Sequence, residues 1–135
     1  MLRLLPSFGL IALLGLAACE SATTPEDPVW GKQACGSCAM LVSDPAYAAQ
    51  LATQEGTRVY FDDVGCMATY VEERGITPAK MWVRDTSGKW LDARTAKYKS
   101  GARSPMDFGF VPAADGESDY ARIERAARER RERKP

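Results

Sequence analysis

A small α+β domain is what this sequence predicts. Two aspartate-led stretches carry helix-start signals, and a run of short β-prone segments separated by turn residues follows them. Residues 19–135 are enough for one domain with a modest core. In chain order, Pro28-Val29-Trp30 begins the fold. Asp44-Pro45 opens a helix, with Asp44 as cap, Pro45 in the first turn, Gly56 as the stop, and Ala46, Tyr47, Ala49 and Leu51 as its apolar face. Arg58-Val59-Tyr60-Phe61 is a short strand ending at a second cap, Asp62-Asp63. A second helix runs from about residue 64 to 74 and is closed by Gly75; Met67, Tyr70 and Val71 fall three and four apart on one face. Residues 80–84 and 89–91 flank a turn at Ser87-Gly88 and read as a hairpin. Residues 97–99 and 108–111 are two further strands around the loop from Gly101 to Pro105. Residues 118–135 read as a charged tail, helical or disordered, with little apolar face (Tyr120, Ile123, Ala126 and Ala127).

The N-terminus has its own logic. Residues 1–18 combine a single positive charge, Arg3, with an apolar stretch through Leu16 and small residues before Cys19. That is the pattern of a bacterial secretory signal. It resembles a lipobox, in which Cys19 is lipidated and becomes the mature N-terminus. The stretch is shorter than the roughly 20 apolar residues a membrane span needs, and Pro6 interrupts it. Glu20 after the cysteine resembles the pattern that permits transfer to an outer membrane. The expectation is a lipid-anchored envelope protein facing the periplasm. Residues 19–29, small, polar and containing Pro25, read as a flexible tether, and the domain proper spans 30–117.

Charge and residue absences narrow the function. Residues 19–117 carry 10 basic and 14 acidic side chains, and residues 118–135 carry seven basic and four acidic. Neither half has the strong basic footprint of a nucleic-acid binder. The chain has no histidine. Imidazole general acid–base chemistry, Ser-His and Cys-His nucleophiles, and imidazole ligation of a metal are therefore excluded.

Sulfur is where the chain is specific. With Cys19 assigned to lipid, three cysteines remain, Cys35, Cys38 and Cys66, an odd number for an exported protein. Cys35-Gly36-Ser37-Cys38 has the spacing of a metal knuckle, a redox pair or a short-loop disulfide. Met40 lies two residues beyond it, and Cys66-Met67 supplies a second sulfur pair. Thiolate and thioether together are soft donors that suit Cu(I). Zinc gains little from thioether, although three thiolates with Asp62 would make a zinc site. Asp62 and Asp63 both read first as helix caps.

These residues resemble the NosL family of copper-binding lipoproteins, accessory factors for assembling the copper sites of nitrous-oxide reductase. The resemblance rests on the lipobox cysteine, on Cys35-Gly36-Ser37-Cys38-Ala39-Met40-Leu41-Val42, on Phe61-Asp62-Asp63-Val64-Gly65-Cys66-Met67, and on Lys97-Tyr98 followed by Ser104-Pro105-Met106-Asp107-Phe108-Gly109-Phe110. It covers roughly residues 30–112. It implies a domain of two strand–strand–helix units that binds Cu(I) through Cys38 and Met40 first, with Cys35, Cys66, Met67 and Met106 as further ligands. Ala39 stands where the family pattern commonly has glycine.

The function expected from these readings is a non-enzymatic one. It is a membrane-anchored Cu(I) metallochaperone that passes copper by ligand exchange to a client cuproenzyme such as nitrous-oxide reductase. The alternatives are a thiol–disulfide oxidoreductase using Cys35 and Cys38, and a zinc- or disulfide-stabilised structural module. No confident helix start precedes Cys35 to lower its pKa, which weighs against the oxidoreductase.

Overall fold

The computed structural model describes residues 22–134. The signal segment over residues 1–18 and the lipidation site Cys19 lie outside the described residues. Among the described residues, six strands and two helices follow in the order β1 Ala49–Ala52, β2 Arg58–Phe61, α1 Val64–Arg74, β3 Lys80–Arg84, β4 Trp90–Asp92, β5 Tyr98–Lys99, β6 Val111–Pro112 and α2 Tyr120–Glu132. The fold is α+β: an antiparallel four-stranded sheet ordered β2-β1-β3-β4, a separate two-stranded β5-β6 ribbon, and two helices. The strand–strand–helix order occurs at β1-β2-α1 and at β5-β6-α2, with the β3-β4 hairpin adding to the first sheet.

The expected helix from Asp44 is instead one turn followed by the central strand. Asp44 does cap that turn, accepting the Ala46 N–H at 3.0 Å, and its carbonyl accepts the Tyr47 N–H at 3.2 Å. The chain then extends into β1, which pairs with β2 on one side and β3 on the other. All four residues of β1 are buried, so the polar–apolar alternation that would have marked a strand is missing. Ala49 and Leu51 face the same core as their register partners Phe61, Val83 and Met81. Gln50, on the opposite face, is also fully buried.

Gln50 is buried because the N-terminal segment lies across that face. Its side-chain amide accepts the Glu26 N–H at 3.1 Å and donates to the Glu26 carbonyl at 2.8 Å. Arg58 donates to Gln50 and, at 2.7 Å, to the Thr24 carbonyl. Trp90 Nε1 donates to Asp27 at 2.9 Å. The stretch expected as a flexible tether is therefore fastened to the sheet from Thr24 onward. A buried amide left unpartnered would cost about 1–3 kcal/mol, and two backbone groups of this segment meet that demand.

The second cap and helix form where the sequence places them. Asp63 is extended (φ −148°, ψ 137°) and accepts the Gly65 N–H at 2.9 Å; Gly75 closes the helix in the left-handed region. Phe61 and Tyr70 meet edge-to-face at 5.3 Å between ring centres, fixing α1 on the end of β2. The charged C-terminal stretch also packs. Asp119 caps α2, and Tyr120, Ile123 and Ala127 are buried, Ile123 completely. Three residues at helical spacing suffice because α2 buries only one narrow stripe, against α1. Arg131 and Glu72 bridge the two helices at 2.9 Å. The strand expected over 108–111 is displaced to Val111–Pro112, its register set by pairing with Tyr98 and Lys99. Among the described residues no helix is long and apolar enough to cross a membrane.

Candidate metal centre

The end of β2, the start of α1 and the cysteine knuckle meet at one point. The knuckle is a closed turn: the Cys35 N–H donates to the Met40 carbonyl at 2.7 Å, and the Ala39 N–H to the Cys35 carbonyl at 3.3 Å. The Gly36 N–H donates to the Tyr60 carbonyl at 2.8 Å, holding the knuckle to β2. A side chain at Gly36 would lie 2.4 Å from Val59 Cγ1, so only glycine lets the two backbones approach this closely. Asp62 follows β2 directly, and Cys66 sits in the first turn of α1.

This arrangement converges Cys35, Cys38, Asp62 and Cys66, whose three sulfurs and one carboxylate oxygen lie within 4.8 Å of one another. Cys35, Asp62 and Cys66 are buried, while Cys38 is half-buried; all three cysteines are free thiols. The Cys38 thiol donates weakly to the Asp62 carboxylate, at 3.4 and 3.5 Å. A tetrahedral metal with bonds near 2.3 Å to sulfur separates its ligands by roughly 3.8 Å. The cluster need contract by only about 1 Å to enclose an ion, and its donor set could hold one.

Electrostatics prepare the cluster for a cation. The Cys66 thiol hydrogen-bonds to Cys35 and, with backbone N–H groups of Cys38, Asp62 and Ser37, outweighs burial to bring Cys35 down to about 6. Cys66 is pushed up by that same bond and by burial. Burial pushes Cys38 up to about 11, with the nearby charges of Cys35 and Asp62 acting in the same direction. One sulfur thus carries charge near neutrality and two hold protons that a metal must displace.

The two neighbouring aspartates, alike in sequence, part ways here. Asp62 faces the sulfurs, whereas Asp63 is wholly structural. One Asp63 oxygen caps α1 and the other accepts the Met106 N–H at 3.2 Å. Burial pushes its carboxyl up, opposed by hydrogen bonds from Ser104, Gly65 and Met106.

The methionines scatter. Met67 is fully buried in the hydrophobic core and fills it, as does Met81. Met40 is 59% exposed beside the knuckle, next to the half-exposed Leu41. Met106 lines a cavity of about 220 Å³ together with Cys38, Cys66, Phe108 and Arg130. This cavity connects the cluster to the surface. Phe108 and Arg130 carry no ligand chemistry; Phe108 entered the sequence reading as a strand residue and Arg130 as one charge of the tail, and the packing of α2 brings both to the cavity.

Ala39 holds φ at 61°, a left-handed conformation costing an L-residue roughly 1–2 kcal/mol. Ala39→Gly is expected to stabilise the fold by about 0.5–1 kcal/mol, the relieved strain exceeding glycine's greater freedom when unfolded. Urea unfolding would check this, and a lower midpoint would mean the turn is not strained.

No protein-family model matches the chain, and comparisons with curated proteins and with solved structures return no match. What defines the protein is its own architecture: a small α+β domain with a three-cysteine, one-carboxylate cluster able to hold a metal ion.

Proposed function

We propose that this protein is a Cu(I) carrier of the cell envelope, held to a membrane through Cys19 and facing the periplasm, which passes its ion to a client cuproenzyme such as nitrous-oxide reductase. The observation that carries the reading is the convergence of Cys35, Cys38 and Cys66 from two separate segments, with only Cys38 half-exposed. Three soft thiolates suit Cu(I), which is satisfied by two or three ligands. A buried pair with one accessible sulfur also suits transfer, because an incoming donor can attack from the cavity side and displace ligands one at a time. The NosL resemblance supports the same cargo and client.

Zinc is the second reading, favoured by one observation: the Asp62 carboxylate completes a four-donor set of the kind zinc accepts. The oxidoreductase alternative fares worse. An attacking thiol should be accessible and acidic, yet here Cys38, the half-buried thiol, is the one pushed up to about 11, and Cys35, brought down to about 6, is buried.

The test is an anaerobic titration of the reduced protein with Cu(I) against a chromophoric competitor, with Zn(II) in parallel. One-to-one Cu(I) binding is expected. Asp62→Asn should leave Cu(I) affinity within about threefold while weakening Zn(II) at least about tenfold, because only zinc recruits the hard oxygen. Zn(II) binding without competitive Cu(I) binding would overturn the copper assignment.

A further inference from the structure

Helix α2 contributes no residue to the thiol cluster, yet its last turns line the cavity that leads to it. Arg130 and Arg131 line that cavity with Met106 and Phe108. Arg131 is occupied by Glu72, but Arg130 turns inward. Its guanidinium donates through Nη1 to the Met106 carbonyl and through Nη2, at 2.9 Å, to the Asp107 carbonyl. It also stacks on the Phe108 ring, 3.9 Å from the centroid. Three consecutive residues of one loop are thus held by one side chain.

The loop is built to receive it. Asp107 has a positive φ of 56°, which aspartate tolerates better than most residues. Beneath, the Met106 N–H donates to the fully buried Asp63, and the Gly109 N–H donates to Ser104 Oγ at 2.8 Å. The Met106 peptide is therefore gripped at both ends, by Asp63, the cap of α1, and by Arg130 from α2, and Met106 lines the same cavity as Cys38 and Cys66.

We infer that Arg130 is a positioning residue that latches the Met106 thioether against the thiol cluster and so slows release of the bound ion. This rests on the carrier reading above. A guanidinium suits the task because its planar fork meets two carbonyls at once while its face lies on an aromatic ring; an ammonium, a compact charge with no plane, cannot do both in this geometry. The basic tail then acts as a closure for the metal cavity.

The test is a double-mutant cycle on the full chain: Arg130→Lys, Met106→Leu and the pair, each loaded with Cu(I) and challenged with excess competitor. Arg130→Lys is expected to release copper about tenfold faster than wild type, the size of coupling found within one contact network. In the Met106→Leu background the same change should have no further effect. Equal acceleration in both backgrounds, or none in either, overturns the latch. A second readout needs no metal: in the apo protein, Met106 should be oxidised by peroxide several-fold faster in Arg130→Lys, followed by peptide mass spectrometry, and an unchanged rate also overturns it. Arg130→Gln, which keeps a planar donor without the charge, repeats the cycle if the lysine variant unfolds. Wild type that fails to hold Cu(I) sinks the carrier reading, and the oxidation rates then decide the latch alone.

Discussion

Cys66→Ser is expected to abolish specific metal binding, weakening it by about a thousandfold or more, about 4 kcal/mol. Cys66 is the most buried of the three cysteines: it is 3% exposed, it stands in the first turn of α1, and its thiol bonds to Cys35. Serine is close in volume and can keep a hydrogen bond, so the fold should survive. Its hydroxyl, however, neither ionises near neutrality nor offers a soft donor. Metal sites of this kind draw on the order of 10–16 kcal/mol from three or four ligands, which makes a loss of this size reasonable for one. Competition titration with Cu(I) and with Zn(II) would measure it. Retention within about tenfold of wild type for both ions would mean that Cys66 is a buried, inert thiol and that the cluster is not a metal centre.

Gly65→Ala is expected to destabilise the protein by about 1–2 kcal/mol, against what helix propensity alone suggests. Alanine inside a helix is favoured over glycine by roughly 1 kcal/mol. At this position an added Cβ would lie 2.0 Å from Phe108 Cγ and 2.3 Å from both Cδ atoms. The clash is with the stem of a ring, not with a flexible tip, and Arg130 stacks on that ring. The loop must move as a unit, and overpacking of that kind costs about 1–3 kcal/mol and occasionally more. The clash outweighs the propensity. A denaturant melt would read the change as a lower midpoint at unchanged slope. A higher midpoint would show that Phe108 is loosely held and that the loop does not rest on α1.

How much of this was legible beforehand varies with what each residue interacts with. Helix α1 was readable because its signals are local: an aspartate before it, an apolar spacing within it and a glycine after it. The β3-β4 hairpin was readable for the same reason, through Ser87-Gly88. Strand β1 was not, because Ala49-Gln50-Leu51-Ala52 has no alternation; its identity comes from being covered on both faces by distant segments. The tail was underestimated because α2 needs only Tyr120, Ile123 and Ala127 to dock. At the site, the cysteine spacing marked a ligand cluster, but nothing in the sequence distinguished Asp62 from Asp63. Their division of labour depends on where β2 ends and α1 begins. Arg130 was invisible among seven basic residues of one stretch.

The fastening of the N-terminal segment to the sheet has a mechanical consequence. Once Thr24 is bonded to Arg58 and Glu26 to Gln50, only residues 20–23 lie between Cys19 and the first fixed point, a span of five chain steps. An extended chain gains at most about 3.3–3.6 Å per residue, which gives a leash of roughly 17 Å. A domain moored at Cys19 would sweep a shallow hemisphere of that radius. Ion hand-over would then be a two-dimensional encounter, confined to partners that travel on, or come down to, the same surface.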